Sequence, residues 1–386
     1  MSELLTSRWS ETKEALLEGL QGTKKSVMGV TLENTKKYLQ ESATAGATSA
    51  GNVATLNRVI LPVIRRVMPT VIANELVGVQ PMTGPVGQIH TLRVRYADTS
   101  SNAGVTAGEE ALSPFKIAEG YSADSTGRAV STATLEGQAG KRMSIQILKQ
   151  TVEAKTRKLS ARWTFEAAQD AQAQQGIDIE AEVMAALAQE ITAEIDQEIL
   201  ASLLSLAGSA VETFDQNAVS GTATFVGDEH AALAVQINRV SNLIAQRTRR
   251  GAGNWAVVSP YALTILQSAT TSAFARTTEG TFEAPTNTKL VGTLNNAMKV
   301  YVKTYATDTT DILIGYKGSS ESDAAAFYCP YIPLMSSGVV LDPSTFEPVV
   351  SFMTRYGYVE LTNTASSLGN AADYLGRIAI SNVSFK

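Results

Sequence analysis

The chain has 386 residues, 44% of them hydrophobic, which is enough for a large core and two domains. Only 18% are charged, below the usual quarter, so much of the surface is expected to be covered by partners; the net charge of −5 does not indicate avid nucleic-acid binding by the chain as a whole. One cysteine, Cys329, excludes an internal disulfide framework and fits a reducing compartment, and two histidines, His90 and His230, leave little room for zinc or histidine-based catalysis.

No apolar run reaches membrane-spanning length, and the N-terminus lacks the apolar core of a signal peptide. The expectation is a soluble chain, made in the cytoplasm, with no membrane partner. Residues 1–41 read as a separate helical unit. Leu5, Trp9, Leu16, Leu17 and Leu20 fall on or near one helical face, Gly22 ends that helix, and "TLENTKKYLQE" makes a second short one. "SATAGATSAGN", residues 42–52, is small and polar and reads as a linker or extended arm.

In "LNRVILPVIRRVMPTVIANELVGVQPM", Val59, Val63, Val67 and Val71 recur at steps of four, which suits a buried helix despite Pro62, and Pro69 ends or kinks it. "GQIHTLRVRY" alternates as a strand, with Ile89, Leu92, Val94 and Tyr96 on one side and Arg93 and Arg95 on the other. Residues 97–140, rich in Gly, Ser, Thr and Ala, are too long for an ordinary loop; an extended excursion packing on another subunit is one solution. The basic stretch that follows, from Lys141 and Arg142 to Arg162, holds one or two strands.

Residues 178–204 carry the clearest helix, with Val183, Leu187, Ile191, Ile195, Ile199 and Leu203 at i+4 steps and a length of about 40 Å. It has seven acidic residues and no Lys or Arg, read as a face turned to solvent or to a basic neighbour. Residues 211–330 look α/β, with helices in "EHAALAVQINRVSNLIAQRTRR" and "PYALTILQS" and strands in "WAVVS", "KVYVKTY" and "DILIGYKG". The remainder, "AFYCPYIPL", "FEPVVSFMTRYGYVEL" and "YLGRIAISNVSF", is strand-like.

No catalytic constellation emerges. "GYKGSS" at 315–320 has the residue types of a phosphate-cradling loop, but its lysine precedes the second glycine and no helix follows. A turn between strands is the plainer reading. Asp228, Glu229 and His230 are adjacent, which is poor metal geometry and suits a helix start. "TRRG" at 248–251 reads as a helix C-terminus with favourable cations, and Cys329, in an apolar run, as buried and inert.

Several stretches stand out together: "RRVMPTVIANELVGVQPMTGPVG" (65–87), the segment 152–199 with its "AQD" at 168–170, "RRGAGNWAVVS" (249–259) and "TRYG" (354–357). A further motif, K-G-x-x-E-x-D-A…Y-x-P-Y, is carried by Lys317, Gly318, Glu321, Asp323, Ala324, Tyr328, Pro330 and Tyr331. Together they resemble T-even-type phage major capsid proteins, and the resemblance is collinear from about residue 53 to the end. It implies an α+β chain with the HK-ninety-seven-type capsid fold and no cofactor. On that pattern 1–41 is a propeptide or scaffolding segment, 42–58 an N-arm, and 59–96 with 141–210 a peripheral domain whose spine helix is 178–204. Residues 97–140 are then the extended loop, 211–330 an axial domain, and 331–386 the return to the peripheral domain. The family's large insertion in the extended loop has no counterpart in this short stretch.

The resemblance implies homo-hexameric capsomers closing around DNA that is packaged without sequence-specific binding. A vertex protein, scaffold, prohead protease and portal are the implied partners, with assembly in the host bacterial cytoplasm and residence in the virion shell. It also implies cleavage after [LI]-x-Glu. Of three matches, ending at Glu18, Glu41 and Glu119, only Leu39-Gln40-Glu41 meets the linker, so cleavage is expected between Glu41 and Ser42. Arg93, Arg95, Lys141 and Arg142, at the base of the extended loop, are the candidates for contact with acidic faces of neighbours. A vertex protein or an encapsulin-like shell protein of the same fold remains an alternative, the encapsulin reading disfavoured by residues 1–41. An α/β enzyme using "GYKGSS" or "RRGAGN" as an anion site is a second one.

Overall fold

A computed structural model describes residues 9, 13–14, 16–18, 20, 22–44, 71–101, 103–109, 111, 120–122, 128–136, 140–175, 178–216, 226–248, 250–268, 274–276, 289–295, 297–303, 311–319, 323–361 and 371–382. In chain order these form helix α1 (Gly22–Thr44), a helical turn at Ala73–Leu76, strands β1 (Gly78–Val79) and β2 (Val86–Tyr96), a turn at Thr132–Leu135, and strands β3 (Met143–Glu153) and β4 (Lys155–Arg162). Helices α2 (Phe165–Gln175) and α3 (Ile179–Ala207) follow, then β5 (Glu212–Asp215), α4 (Val226–Thr248), β6 (Trp255–Val258) and α5 (Pro260–Ser268). The rest is β7 (Phe274–Arg276), β8 (Lys289–Leu294), β9 (Met298–Val302), β10 (Asp311–Gly315), β11 (Ala326–Ser336), β12 (Val340–Leu341), β13 (Pro348–Glu360), a 3-10 turn at Ala371–Tyr374 and β14 (Leu375–Ser381). The class is α+β.

Helix α3 is the long element expected from the i+4 apolar repeat. Asp178 caps it by accepting the Glu180 N–H at 3.1 Å, and Gly208, at φ 68°, ends it. Its apolar stripe, Leu187, Ile191, Ile195, Ile199 and Leu203, is buried against a five-stranded sheet ordered β1-β11-β13-β12, with β4 also on β13. One face of that sheet meets α3: Ser202 donates to Glu360 at 2.5 Å, and Arg157 of β4 donates to Glu194 at 2.8 Å and to the Tyr356 hydroxyl at 2.6 Å. Asp196, expected among the solvated acids of this helix, is instead buried.

The opposite face carries Gly357, paired with Cys329. A Cβ there would lie 2.3 Å from Val152 of β3 and 3.3 Å from Met82 Sδ, so only glycine lets the β2–β3 hairpin approach so closely. Helix α1 packs beside this face. Val27, Met28, Thr31 and Leu32 are buried, and the Asn34 amide donates to the carbonyls of Met82 at 2.6 Å and Tyr331 at 3.0 Å. The N-terminal stretch is therefore no detached unit: its apolar stripe completes the first core. The helix also runs on through 42–44, into the expected linker. Of the expected helix with Val59, Val63, Val67 and Val71, only Val71 lies among the described residues, and it is buried.

A mixed seven-stranded sheet, ordered β5-β14-β10-β6-β9-β8-β7, builds the second unit. Its central strands are buried on both faces and serve two cores by simple alternation. Trp255, Val257, Tyr301 and Leu313 belong to the first core, while Ala256, Val258, Val300, Val302, Ile312 and Ile314 belong to the second, with Leu233, Ile237, Val240 and Ile244 of α4. Strand β14 pairs with β10 and β5 in this sheet, so the block 331–386 is divided between the two units rather than returning whole to the first. Ile378 and Ile380 bury against α4, which holds β14 there.

Candidate assembly surface

Strands β2 and β3 form a two-stranded antiparallel ribbon with Val86 opposite Glu153 and Tyr96 opposite Met143. Directly paired residues share a face. One face therefore holds Val94 and Tyr96 with Ile147, Ile145 and Met143; the other holds Ile89 and Arg95 with Gln150, Gln146 and Ser144. Ile89 thus shares the face of Arg95 and not, as the sequence had suggested, that of Val94 and Tyr96, because it faces the core where the ribbon joins the five-stranded sheet. On the first face Ile145 is 67% and Ile147 66% exposed, and Met143 is exposed too. Neighbouring apolar side chains this exposed make the face a candidate for covering by a partner.

At the far end of the ribbon, Tyr96, Val105, Ala111 and Tyr121 make a small core of their own. The rings of Tyr96 and Tyr121 are 4.5 Å apart, and the Tyr121 hydroxyl donates to the Arg142 carbonyl at 2.7 Å. Asp98 accepts the Arg142 N–H at 2.8 Å and its guanidinium at 3.2 Å; these bonds, the N–H first, hold its carboxyl below the usual range. The ammonium of Lys141 bonds Ser100 and lies over the Tyr121 ring.

The four cations expected to meet neighbours are therefore not equivalent. Arg142 keeps 77% of its side chain exposed beyond its pairing with Asp98, and Lys141 is exposed beside it. Arg95 is buried in the chain, 7% exposed, and presents nothing to a neighbour; the Arg93 side chain lies outside the described residues. Leu39, Gln40, Glu41 and Ser42 all fall in the last turns of α1, with their side chains outside the described residues. Sequence reasoning missed Ile145 and Ile147. Their signal was the alternation "MSIQI", which fixes a strand but not which face lacks a cover.

The stretch 315–319 is a turn held by its own protein. Lys317 Nζ donates to the Asn74 carbonyl at 2.8 Å, Asn254 brackets the Lys317 backbone through its N–H at 3.0 Å and carbonyl at 2.6 Å, and the Gly318 N–H bonds the Asp323 carbonyl at 2.8 Å. Arg250, of "RRGAGN", pairs with Asp323 at 2.7 Å. Lys317, the Gly318 N–H and Arg250 are thus engaged within the chain. His230 Nδ1 is 2.5 Å from the Ser268 hydroxyl, and burial lowers its pKa. Burial also pushes the Cys329 thiol up to about 12, which keeps it unreactive. No described helix is long and apolar enough to cross a membrane.

The family model described as "Major capsid protein Gp23" matches residues 53–380. The major capsid protein of Vibrio phage KVP40 is 30% identical, over 85% of this chain and 81% of its own length; that of Enterobacteria phage T4 is 28% identical, over 83% and 78%. The first alignment spans 421 positions, more than the 386 residues here, so that relative carries residues that face gaps in this chain. Among solved structures, one from Mycobacterium phage Bobi covers 81% of this chain and 90% of its own at 13% identity, with a TM-score of 0.49. With residues 53–380, most of the chain, matched by one family model, the chain belongs to the Gp23 major capsid protein family.

Proposed function

We propose that this chain builds the shell as homo-hexameric capsomers whose β2–β3 ribbon lies on the neighbouring subunit, and that it is matured by cleavage after Glu41. Family membership makes it a major capsid protein: a structural component of the virion, of HK-ninety-seven-type fold, and not an enzyme. The exposed face of Met143, Ile145 and Ile147 carries the ribbon reading, since a second subunit would give that stripe a cover. We assign the five-stranded sheet with α3 to the peripheral domain, the seven-stranded sheet to the axial domain, and 97–140 to the extended loop. Scaffold, prohead protease, vertex protein, portal and packaged DNA are the partners this role requires.

Electron microscopy of the purified full-length protein tests the ribbon. Wild type should give rings, tubes or shells; the double variant Ile145→Asp, Ile147→Asp should leave folded protein that does not assemble. Arg142→Glu should weaken assembly most at low salt, where screening is least. Normal shells from the double variant would remove the ribbon from the interface.

The Glu41–Ser42 peptide lies in the last turn of α1, and terminal turns open most readily to proteases. N-terminal sequencing of protein from mature particles should read Ser42 first. A sequence starting at Met1 or Ser2 would end the processing proposal.

A further inference from the structure

The five-stranded sheet separates two sides of opposite charge. Helix α3 flanks one face, and residues 178–204 carry seven acids and no Lys or Arg. Of these, Glu182 and Glu190 are exposed. The other face, along β4 and β13, is the reverse. Lys158 stands opposite Met353, Ser160 opposite Ser351 and Thr156 opposite Arg355, and residues so paired share a face. Arg162, opposite Val349, ends the row. All four β4 side chains on this face are exposed among the described residues.

Each cation meets a neutral partner across the strand. Glu347, 3.8 Å away, and the turn at Asp342 flank Arg162, which still keeps 69% of its side chain exposed. Arg355 is half-buried and lies 5.3 Å from the centre of the Tyr331 ring, which holds that cation on the same face. Lys158 and Arg162 are four residues apart on one strand, about 13 Å. Lysine, arginine and hydroxyl side chains are the groups that hold phosphate oxygens without reading sequence. A subunit contact has a different composition. Its core is apolar and poor in charge, as the Ile145–Ile147 face is. Here Val349 and Met353, the apolar members of the row, are themselves half-buried.

A closed shell turns one side of each subunit toward its contents. With α3 inward, Glu182 and Glu190 would stand against phosphate and repel it; with β4 inward, Lys158 and Arg162 meet it. We infer that the open face of β4 and β13 is the inner surface of the shell, where Lys158, Arg162 and Arg355 rest on the phosphates of packaged DNA. This rests on the shell reading. About three phosphate contacts per subunit give weak binding, in keeping with the net charge of −5, and repetition over the shell multiplies them.

Two measurements on phage particles test this. In the first, lysine acylation is read by peptide mass spectrometry in DNA-filled particles and in the same particles emptied of DNA. Lys158 should react about threefold or more slowly when DNA is present. In the second, Ser160→Cys shells without DNA meet a maleimide on a polyethylene glycol too large to enter a closed shell. The new cysteine should stay unlabelled until the shells are broken open; Cys329 is buried and does not compete. Labelling of closed shells would put this face outside. Equal Lys158 reactivity with and without DNA would mean that no phosphate rests there. No labelling even of opened shells would mean that a neighbouring subunit covers the face. Each of these overturns the inference and leaves the shell reading standing. Particles whose shell lacks this chain overturn both.

Discussion

Asp196→Asn is expected to stabilise the protein at pH 8 relative to wild type by about 3 kcal/mol more than it does at pH 5. Asp196 lies on the buried side of α3 and is 2% exposed. Its Oδ1 accepts the Ile72 N–H at 2.9 Å, and Oδ2 has no hydrogen-bond partner among the described residues. Burial raises its pKa to about 7 against the opposing pull of the Ile72 bond. An unfolded aspartate titrates near about 3.9. The folded chain therefore holds this proton more tightly, and the stability so gained is complete below pH ~4 and is lost as pH rises to ~7. Asparagine keeps an acceptor for Ile72 and has no charge to bury. His230, with its lowered pKa, works in the opposite sense near neutrality, but it is common to both proteins and cancels. Carboxylates held low by cations, such as Glu75 and Glu198, finish titrating below this window. Urea unfolding of both full-length proteins at pH 5 and pH 8 supplies the four numbers. The same pH dependence in both would show that Asp196 is not buried as a carboxyl.

That residue also marks where the sequence stops being readable. The i+4 ladder from Val183 to Leu203 identified α3 because period and length are local properties. Asp196 sits beside Ile195 in the same ladder and looked like one more surface acid. Its burial depends on Ile72, which lies 124 residues away in the chain. Short runs such as "WAVV" and "DILIG" were legible as strands, but not their order, since residues buried on both faces carry no alternation to orient them. Helix α1 hid its docking because a stripe of four side chains between lysines looks like an exposed helix until the opposite surface is present. The assembly surface is the converse case. Ile145 and Ile147 are what a buried strand would offer, and only the fold reveals how exposed they are left among the described residues. Arg95 and Arg142 were alike in sequence; the fold buries the first and leaves the side chain of the second 77% exposed.

Gly315→Ala is expected to cost about 3 kcal/mol or more, and the reason answers why "GYKGSS" begins as it does. Gly315 ends β10, paired with Trp255 on one side and Leu375 on the other. A Cβ at this position would lie 2.1 Å from Trp255 Cζ2 and 2.5 Å from Cε2, inside the indole ring. Trp255 is buried in the first core, and strands hold Gly315 on both sides, so neither partner has room to yield. Alanine gains about 0.5–1 kcal/mol over glycine from backbone entropy in a strand, which the overlap outweighs. Gly87→Ala is the control: it is also a strand glycine, but its nearest atom, Met82 Cγ, lies 3.5 Å away at ordinary contact distance, so its change should stay within about 1 kcal/mol. Urea unfolding of the two variants beside wild type decides the matter, and equal stability of Gly315→Ala and Gly87→Ala would refute the packing account. Because Trp255 and Leu313 belong to the first core while Ala256 and Ile314 belong to the second, the seam that Gly315 keeps closed is also the joint between the two units. Opening it should disturb capsomer geometry before it unfolds the chain, so Gly315→Ala shells should be malformed at temperatures where Gly87→Ala shells are normal.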